Sequence, residues 1–165
     1  MAEAFNDLTL SADRGARYAE VAAEIAAVLD GEPNLTARMA TVAAMLAASF
    51  DHYFWTGFYV VDPDKPGELV VGPYQGTLGC LRIAFGRGVC GAAAATGQTQ
   101  LVPDVHAFPG HIACDGRSLS EVVVPVFGPD GALIAVLDVD SDQPAAFDET
   151  DALWLERIVA AVFNG

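Results

Sequence analysis

The sequence predicts an α+β domain: an antiparallel sheet with helices packed on one face, the other face free to build a ligand pocket. Three observations predict it. The element order is two helices, two strands, a mixed stretch, two strands and a final helix. The strand runs come in pairs, each joined by turn residues, as antiparallel hairpins are. Of 165 residues, 53% are apolar and 18% charged, which is ample for the core of one domain.

Residues 1–17 carry no clear apolar period and read as a mobile arm, leaving 18–165 as the single domain. Tyr18, Val21, Ala22, Ile25 and Leu29 then recur at helical spacing, and Gly31 and Pro33 punctuate the helix. Asn34 is an N-cap for a second helix with the stripe Leu35, Met39, Val42, Leu46 and Phe50. Residues 54–61 and 69–74 are aromatic and β-branched, and the turn-rich segment 62–68 makes them a hairpin. Residues 81–84 are extended, Gly88–Thr96 is an Ala-rich short helix, and Gln100–Val102 is a short strand. Residues 104–119 have no period, and a loop that long inside a compact domain is usually functional or disordered. Residues 122–127 and 133–139 form a second hairpin, almost continuously apolar and hence central. Asp148 caps the last helix, Glu149 and Asp151 suit its positive end, and Leu155, Ile158, Val159 and Val162 form its stripe.

The net charge of −14 argues against a nucleic-acid binder and against docking to an anionic membrane by charge. No basic and apolar leader is visible at the amino terminus, and the longest apolar runs fall far short of the ~18 residues that span a bilayer. The expectation is a cytoplasmic protein with reduced thiols. Cys80, Cys90 and Cys114 are then buried structural thiols, part of a metal site, or a redox site with a transient disulfide. Combined with His106 and His111 they fit no standard zinc spacing. Gly86-Arg-Gly88 with Gly91 is neither dinucleotide fingerprint nor Walker motif, and reads as a tight turn into a helix.

A stronger signal is an arrangement. Cys114 lies in the long loop, which suits a reactive thiol. Glu121 opens one strand of the second hairpin, and Asp138 and Asp140 close the other, on one face. Hairpin pairing crowds the three carboxyls together, so at least one stays protonated at neutral pH and can act as a general acid. Trp55 and Tyr59, on the first strand, can line an apolar pocket.

Trp55-Thr-Gly-Phe-Tyr59, Gly72-Pro-Tyr-Gln-Gly76, Cys80 with Arg82-Ile83, Gly86-Arg-Gly-Val-Cys-Gly91, Asp104-Val-His106, Gly110-His-Ile-Ala-Cys-Asp115, Ser120-Glu121 and Leu137-Asp-Val-Asp-Ser141 together resemble the free methionine-(R)-sulfoxide reductases, which are stand-alone GAF domains. The match covers roughly residues 18–163 and includes all three cysteines in order. The resemblance implies a six-stranded antiparallel sheet, a homodimer, and reduction of the R-sulfoxide of free methionine. It implies no metal or organic cofactor, and thioredoxin as the recycling reductant. It makes Cys114 the nucleophile, Cys80 the resolving thiol and Cys90 an auxiliary cysteine. Glu121, Asp138 and Asp140 hold and polarise the substrate, and its methyl group packs on Trp55, with Tyr59 alongside. The competing readings are a non-catalytic GAF ligand sensor, a thiol redox sensor and a metal-binding module.

Overall fold

The structure is a computed structural model that describes residues 10–112 and 114–165. Its elements run α1 (Arg14–Val28), α2 (Leu35–Ser49), β1 (Trp55–Val61), β2 (Glu68–Gln75), β3 (Arg82–Ala84), α3 (Gly88–Thr96), β4 (Gln100–Val102), β5 (Ser120–Phe127), β6 (Leu133–Ser141) and α4 (Glu149–Phe163). A single 3-10 turn, Val105–Ala107, interrupts the long loop.

Helix α1 starts at Arg14 rather than near Tyr18. The Asp13 side chain accepts a hydrogen bond from the Ala16 N–H at 2.9 Å, and Arg14 reaches across to Asp151 at 2.7 Å. Both contacts stabilise a first turn that has no apolar stripe to announce it. Residues 1–9 of the expected arm lie outside the described residues.

The strands form one antiparallel sheet in the order β3-β2-β1-β6-β5-β4. Both expected hairpins, β1–β2 and β5–β6, are present. The amino-terminal strand of the first pairs with the carboxy-terminal strand of the second, which puts β1 and β6 at the centre. Side chains alternate across each strand. Phe58, Val122, Val124, Leu137 and Val139 point to the face covered by α1, α2 and α4, and are buried there against Tyr18, Ile25, Met39, Leu46 and Leu155. Each such side chain contributes about 1.5–3 kcal/mol by leaving water. Trp55, Tyr59, Val123 and Val136 point to the opposite face, where α3 packs with Cys90 and Ala93. Helix α3 covers only part of that face, and the uncovered part is the cleft described below.

Between α1 and α4 lies a polar cluster. Asp151 is 0% exposed. It accepts hydrogen bonds from Arg14 at 2.7 Å, from Tyr18 Oη at 2.5 Å and from the Asp148 N–H at 2.8 Å, and pairs with His52 at 3.0 Å. Asp148 and Asp151 form a reciprocal capping box at the start of α4. No helix among the described residues is long and apolar enough to cross a membrane.

Candidate active site

The sheet register assembles the site. Across β5–β6, Glu121 is the partner of Asp140, and Val123 that of Asp138. Across β1–β6, Trp55 is the partner of Asp140, and Gly57 that of Asp138. Glu121, Asp138, Asp140 and Trp55 therefore converge on the side of the sheet away from the helical layer, at the end where β5 begins and β6 finishes. Tyr59 stacks on Trp55 with ring centroids 5.6 Å apart, and Tyr74 stacks on its other flank at 5.0 Å. The Trp55 indole N–H donates to the Thr77 carbonyl at 2.8 Å, which fixes the ring. All five proposed substrate-contacting residues line one cleft.

The carboxyls sit where ionisation is unfavourable. Glu121 is 5% and Asp138 4% exposed. Burial, followed by the charge of Asp138, raises Glu121 well above the ordinary carboxyl range. Burial and then the charge of Asp140 do the same for Asp138, and burial and then the charge of Glu121 for Asp140. At neutral pH the trio holds protons. Asp138 Oδ1 is buried with no hydrogen-bond partner, so the site holds an unsatisfied polar atom. Burial also raises Tyr59, with Asp138 second among the causes, and its phenol stays protonated.

The three cysteines separate into two roles. Cys80 and Cys114 are joined as a disulfide with Cα atoms 5.4 Å apart, inside the ordinary range of about 4.4–6.8 Å. Cys114 is exposed at the rim of the cleft, in the long loop. Cys90 is free and buried in the first turn of α3. Burial and the nearby Asp138 push its thiol well above the usual range, so it stays protonated and is a poor nucleophile. The segment 86–91 is the tight turn that its glycines suggest. Gly88 adopts φ +62°, a conformation that L side chains avoid, and turns the chain into α3 at the cleft wall. Gly79 lets the Cys80 segment lie against the aromatic wall, because a Cβ there would come 2.9 Å from Trp55 and 3.1 Å from the Tyr59 hydroxyl.

Sequence reasoning missed the residues that hold the Cys114 loop. The Thr77 hydroxyl donates to Asp115 Oδ2 at 2.8 Å, tying the Cys114 loop to the Cys80 loop. Arg117 grips the same carboxylate at 2.8 Å and lies over the Phe54 ring, 5.0 Å from its centroid. Hydrogen bonds from Arg117, its own N–H and Thr77 hold Asp115 well below the usual carboxylate range. Arg87 and His111 also line the cleft. Burial, and then His106, lowers His111, so its imidazole is neutral at neutral pH. His106 does not join the cleft. Its backbone N–H donates to Asp104 within the 3-10 turn.

Among the described residues, the potential metal ligands that gather are Cys90, Glu121 and Asp138, with donor atoms within 4.8 Å of one another. This is not the Cys/His combination considered from the sequence. Burial pushes all three groups towards their protonated forms, which opposes metal ligation.

The GAF domain family matches residues 37–162. The free methionine-R-sulfoxide reductase of Escherichia coli (strain K12) is 41% identical over 143 residues, covering 87% of this chain and 84% of that protein. The Saccharomyces cerevisiae enzyme of the same name is 39% identical over 137 residues, covering 81% and 76%. The solved structure of the Neisseria meningitidis free methionine-R-sulfoxide reductase, in complex with its substrate, superposes with a TM-score of 0.89 at 49% identity, covering 95% of this chain and 93% of that one.

Proposed function

We propose that this chain, which belongs to the free methionine-R-sulfoxide reductases of the GAF-domain family, reduces free L-methionine-R-sulfoxide to L-methionine. The observation that carries the reading is the meeting of a Cys80–Cys114 disulfide with three buried carboxyls, whose ionisation burial disfavours, and an aromatic wall in one cleft.

The sulfoxide sulfur is electrophilic, and its oxygen departs only once protonated. In the reduced enzyme the Cys114 thiolate attacks that sulfur. Glu121, backed by Asp138 and Asp140, donates the proton to the oxygen. Oxygen passes to Cys114, leaving methionine and a sulfenic acid. The Cys80 thiol condenses with the sulfenic acid, forming the disulfide and releasing water. Thioredoxin, or another dithiol, supplies two electrons and two protons to restore both thiols. No metal or organic cofactor takes part in this cycle. Cys90 stays a buried auxiliary thiol that packs α3 against the carboxyls.

Substrate contacts follow from the same geometry. The methyl group packs on Trp55 beside Tyr59. The ammonium group enters the acidic cleft, where its charge favours ionisation of one carboxyl, whose proton leaves to solvent. The carboxylate takes the free N–H groups at the start of α3, near Gly88 and Cys90. Both charged ends exist only in the free amino acid, which accounts for selection against methionine within a chain. Arg117 neutralises Asp115 next to Cys114, so that carboxylate does not oppose thiolate formation. The enzyme works in the cytoplasm as a homodimer.

Turnover of free L-methionine-R-sulfoxide with excess dithiothreitol tests the function. Methionine is expected from the R-epimer and not from the S-epimer. A fully reduced, folded protein that consumes neither contradicts the reductase reading and favours a ligand sensor.

A further inference from the structure

The two most exposed large apolar side chains among the described residues bracket one sulfur of the disulfide. Leu78 is 78% and Leu81 71% exposed, against 46% for the next, Leu153. A loose loop does not account for this exposure. Thr77 is held through its carbonyl by Trp55 and through its hydroxyl by Asp115, and the Leu81 carbonyl accepts from the Val71 N–H at 2.9 Å. The backbone is pinned at both ends while the two leucines stand in water. Large apolar side chains fixed in solvent around a reactive group mark a contact surface.

We propose that Leu78 and Leu81 form the docking surface for the protein dithiol that reduces the Cys80–Cys114 bond. This rests on the redox reading of the site. A small thiol needs no platform to reach a disulfide whose Cys114 half is exposed and whose Cys80 half is partly buried. A protein dithiol does, because its cysteine must meet the bond while the surfaces around both sulfurs are in contact. Its thiolate attacks Cys80 Sγ, between the two leucines. The Cys80–Cys114 bond breaks, and Cys114 leaves as a thiolate and takes up a proton. The partner's second thiol then attacks the mixed disulfide, so the partner departs oxidised by two electrons and Cys80 is a thiol again.

Charge fits the same occupant. The chain carries a net charge of −14, and an arginine stands close in sequence to each cysteine of the disulfide, Arg82 after Cys80 and Arg117 after Cys114. Arg82 pairs with Asp62 at 2.7 Å and with Glu68 at 3.0 Å, and Arg117 pairs with Asp115 at 2.8 Å. These two cations, set against three carboxylates, lessen the acidity beside the disulfide without removing it.

Leu81→Ser tests the proposal, with Leu153→Ser as a control at an exposed leucine away from the disulfide. Turnover is measured with dithiothreitol and, separately, with thioredoxin, thioredoxin reductase and NADPH, and the oligomeric mass is measured by light scattering. For Leu81→Ser, kcat/KM for thioredoxin is expected to fall on the order of tenfold. Its dithiothreitol-supported rate and its mass should match the wild type, and Leu153→Ser should match in every assay. An unchanged thioredoxin kcat/KM overturns the proposal, as does an equal loss with both reductants. A changed mass with unchanged thioredoxin kinetics assigns the leucines to a second copy of the chain and also overturns it. Wild type that turns over with dithiothreitol but not with thioredoxin rejects the docking surface alone, whereas failure with both rejects the reductase reading itself.

Discussion

Glu121 and Asp140 face each other across β5 and β6, and Asp140 is at the same time the register partner of Trp55 on β1. One aspartate therefore links the proposed proton donor, Glu121, to the aromatic wall. Two adjacent strand pairings fix that relationship, and a one-residue slip in either would turn the side chains of that strand to the opposite face.

Replacing Glu121 by Gln removes the donated proton and keeps the shape. We expect kcat to fall about 10²–10⁴-fold with dithiothreitol as reductant, with KM changed far less. Steady-state kinetics on the R-sulfoxide checks this. An equal kcat would move proton donation to Asp138 or Asp140.

The carboxyl trio costs the fold stability in the alkaline direction. Burial raises each pKa in the folded protein above its unfolded value. The stability these groups contribute is fully present below the unfolded carboxyl range, near pH ~4, and is lost as pH rises through the raised folded values. Asp138→Asn should therefore stabilise the protein by an increment that grows as pH rises above about 4. Thermal unfolding across that range measures it, and an increment independent of pH contradicts the assignment.

Asp151 has the opposite sign. Burial alone would raise it, but hydrogen bonds from His52, Tyr18 and the Asp148 N–H, with the charge of Arg14, hold it down to about 2. Its contribution is present above the unfolded value near ~4 and is lost as pH falls towards 2. Asp151→Asn should cost roughly 3 kcal/mol at neutral pH, because it leaves Arg14 without its buried partner, and the cost should shrink in acid. Denaturant unfolding measures the loss. The specific activity of the folded variant should be unchanged, since Asp151 lies between α1 and α4 and away from the cleft.

Thr77→Val cuts the link between the Cys80 and Cys114 loops and leaves Trp55 its carbonyl acceptor. Methionine release in the first turnover should be unaffected. Disulfide formation should slow, so a sulfenic-acid trap such as dimedone should label more Cys114 than in the wild type. Equal labelling would show that the Thr77–Asp115 hydrogen bond does not position the resolving step.

What could be read in the sequence was what local pattern encodes. Apolar runs and turn residues mark β1, β2, β5 and β6, and Asn34 and Asp148 mark helix starts. The crowding of Glu121, Asp138 and Asp140 follows from hairpin pairing, because the start of one strand must lie beside the end of the next. The contribution of Trp55 needed the β1–β6 pairing, which no local spacing reveals. The Cys80–Cys114 pair lies 34 residues apart in sequence, and only the resemblance pointed to it. Thr77, Asp115 and Arg117 look like ordinary loop residues until the two loops meet. Asp151 looks like an acid suited to a helix N-terminus, and Arg14 and Tyr18 bury it from 137 and 133 residues away.

A single-turnover experiment on pre-reduced protein, with free dithiol removed, tests the central claim most directly. L-methionine-R-sulfoxide is added to Cys80→Ser and to Cys114→Ser, and methionine and thiol oxidation state are read by chromatography and mass spectrometry. Cys80→Ser is expected to release about one equivalent of methionine per chain and to carry a sulfenic acid on Cys114 that dimedone captures. Cys114→Ser is expected to release none. Methionine released by Cys114→Ser, or a dimedone adduct on Cys90 in Cys80→Ser, would contradict Cys114 as the nucleophile.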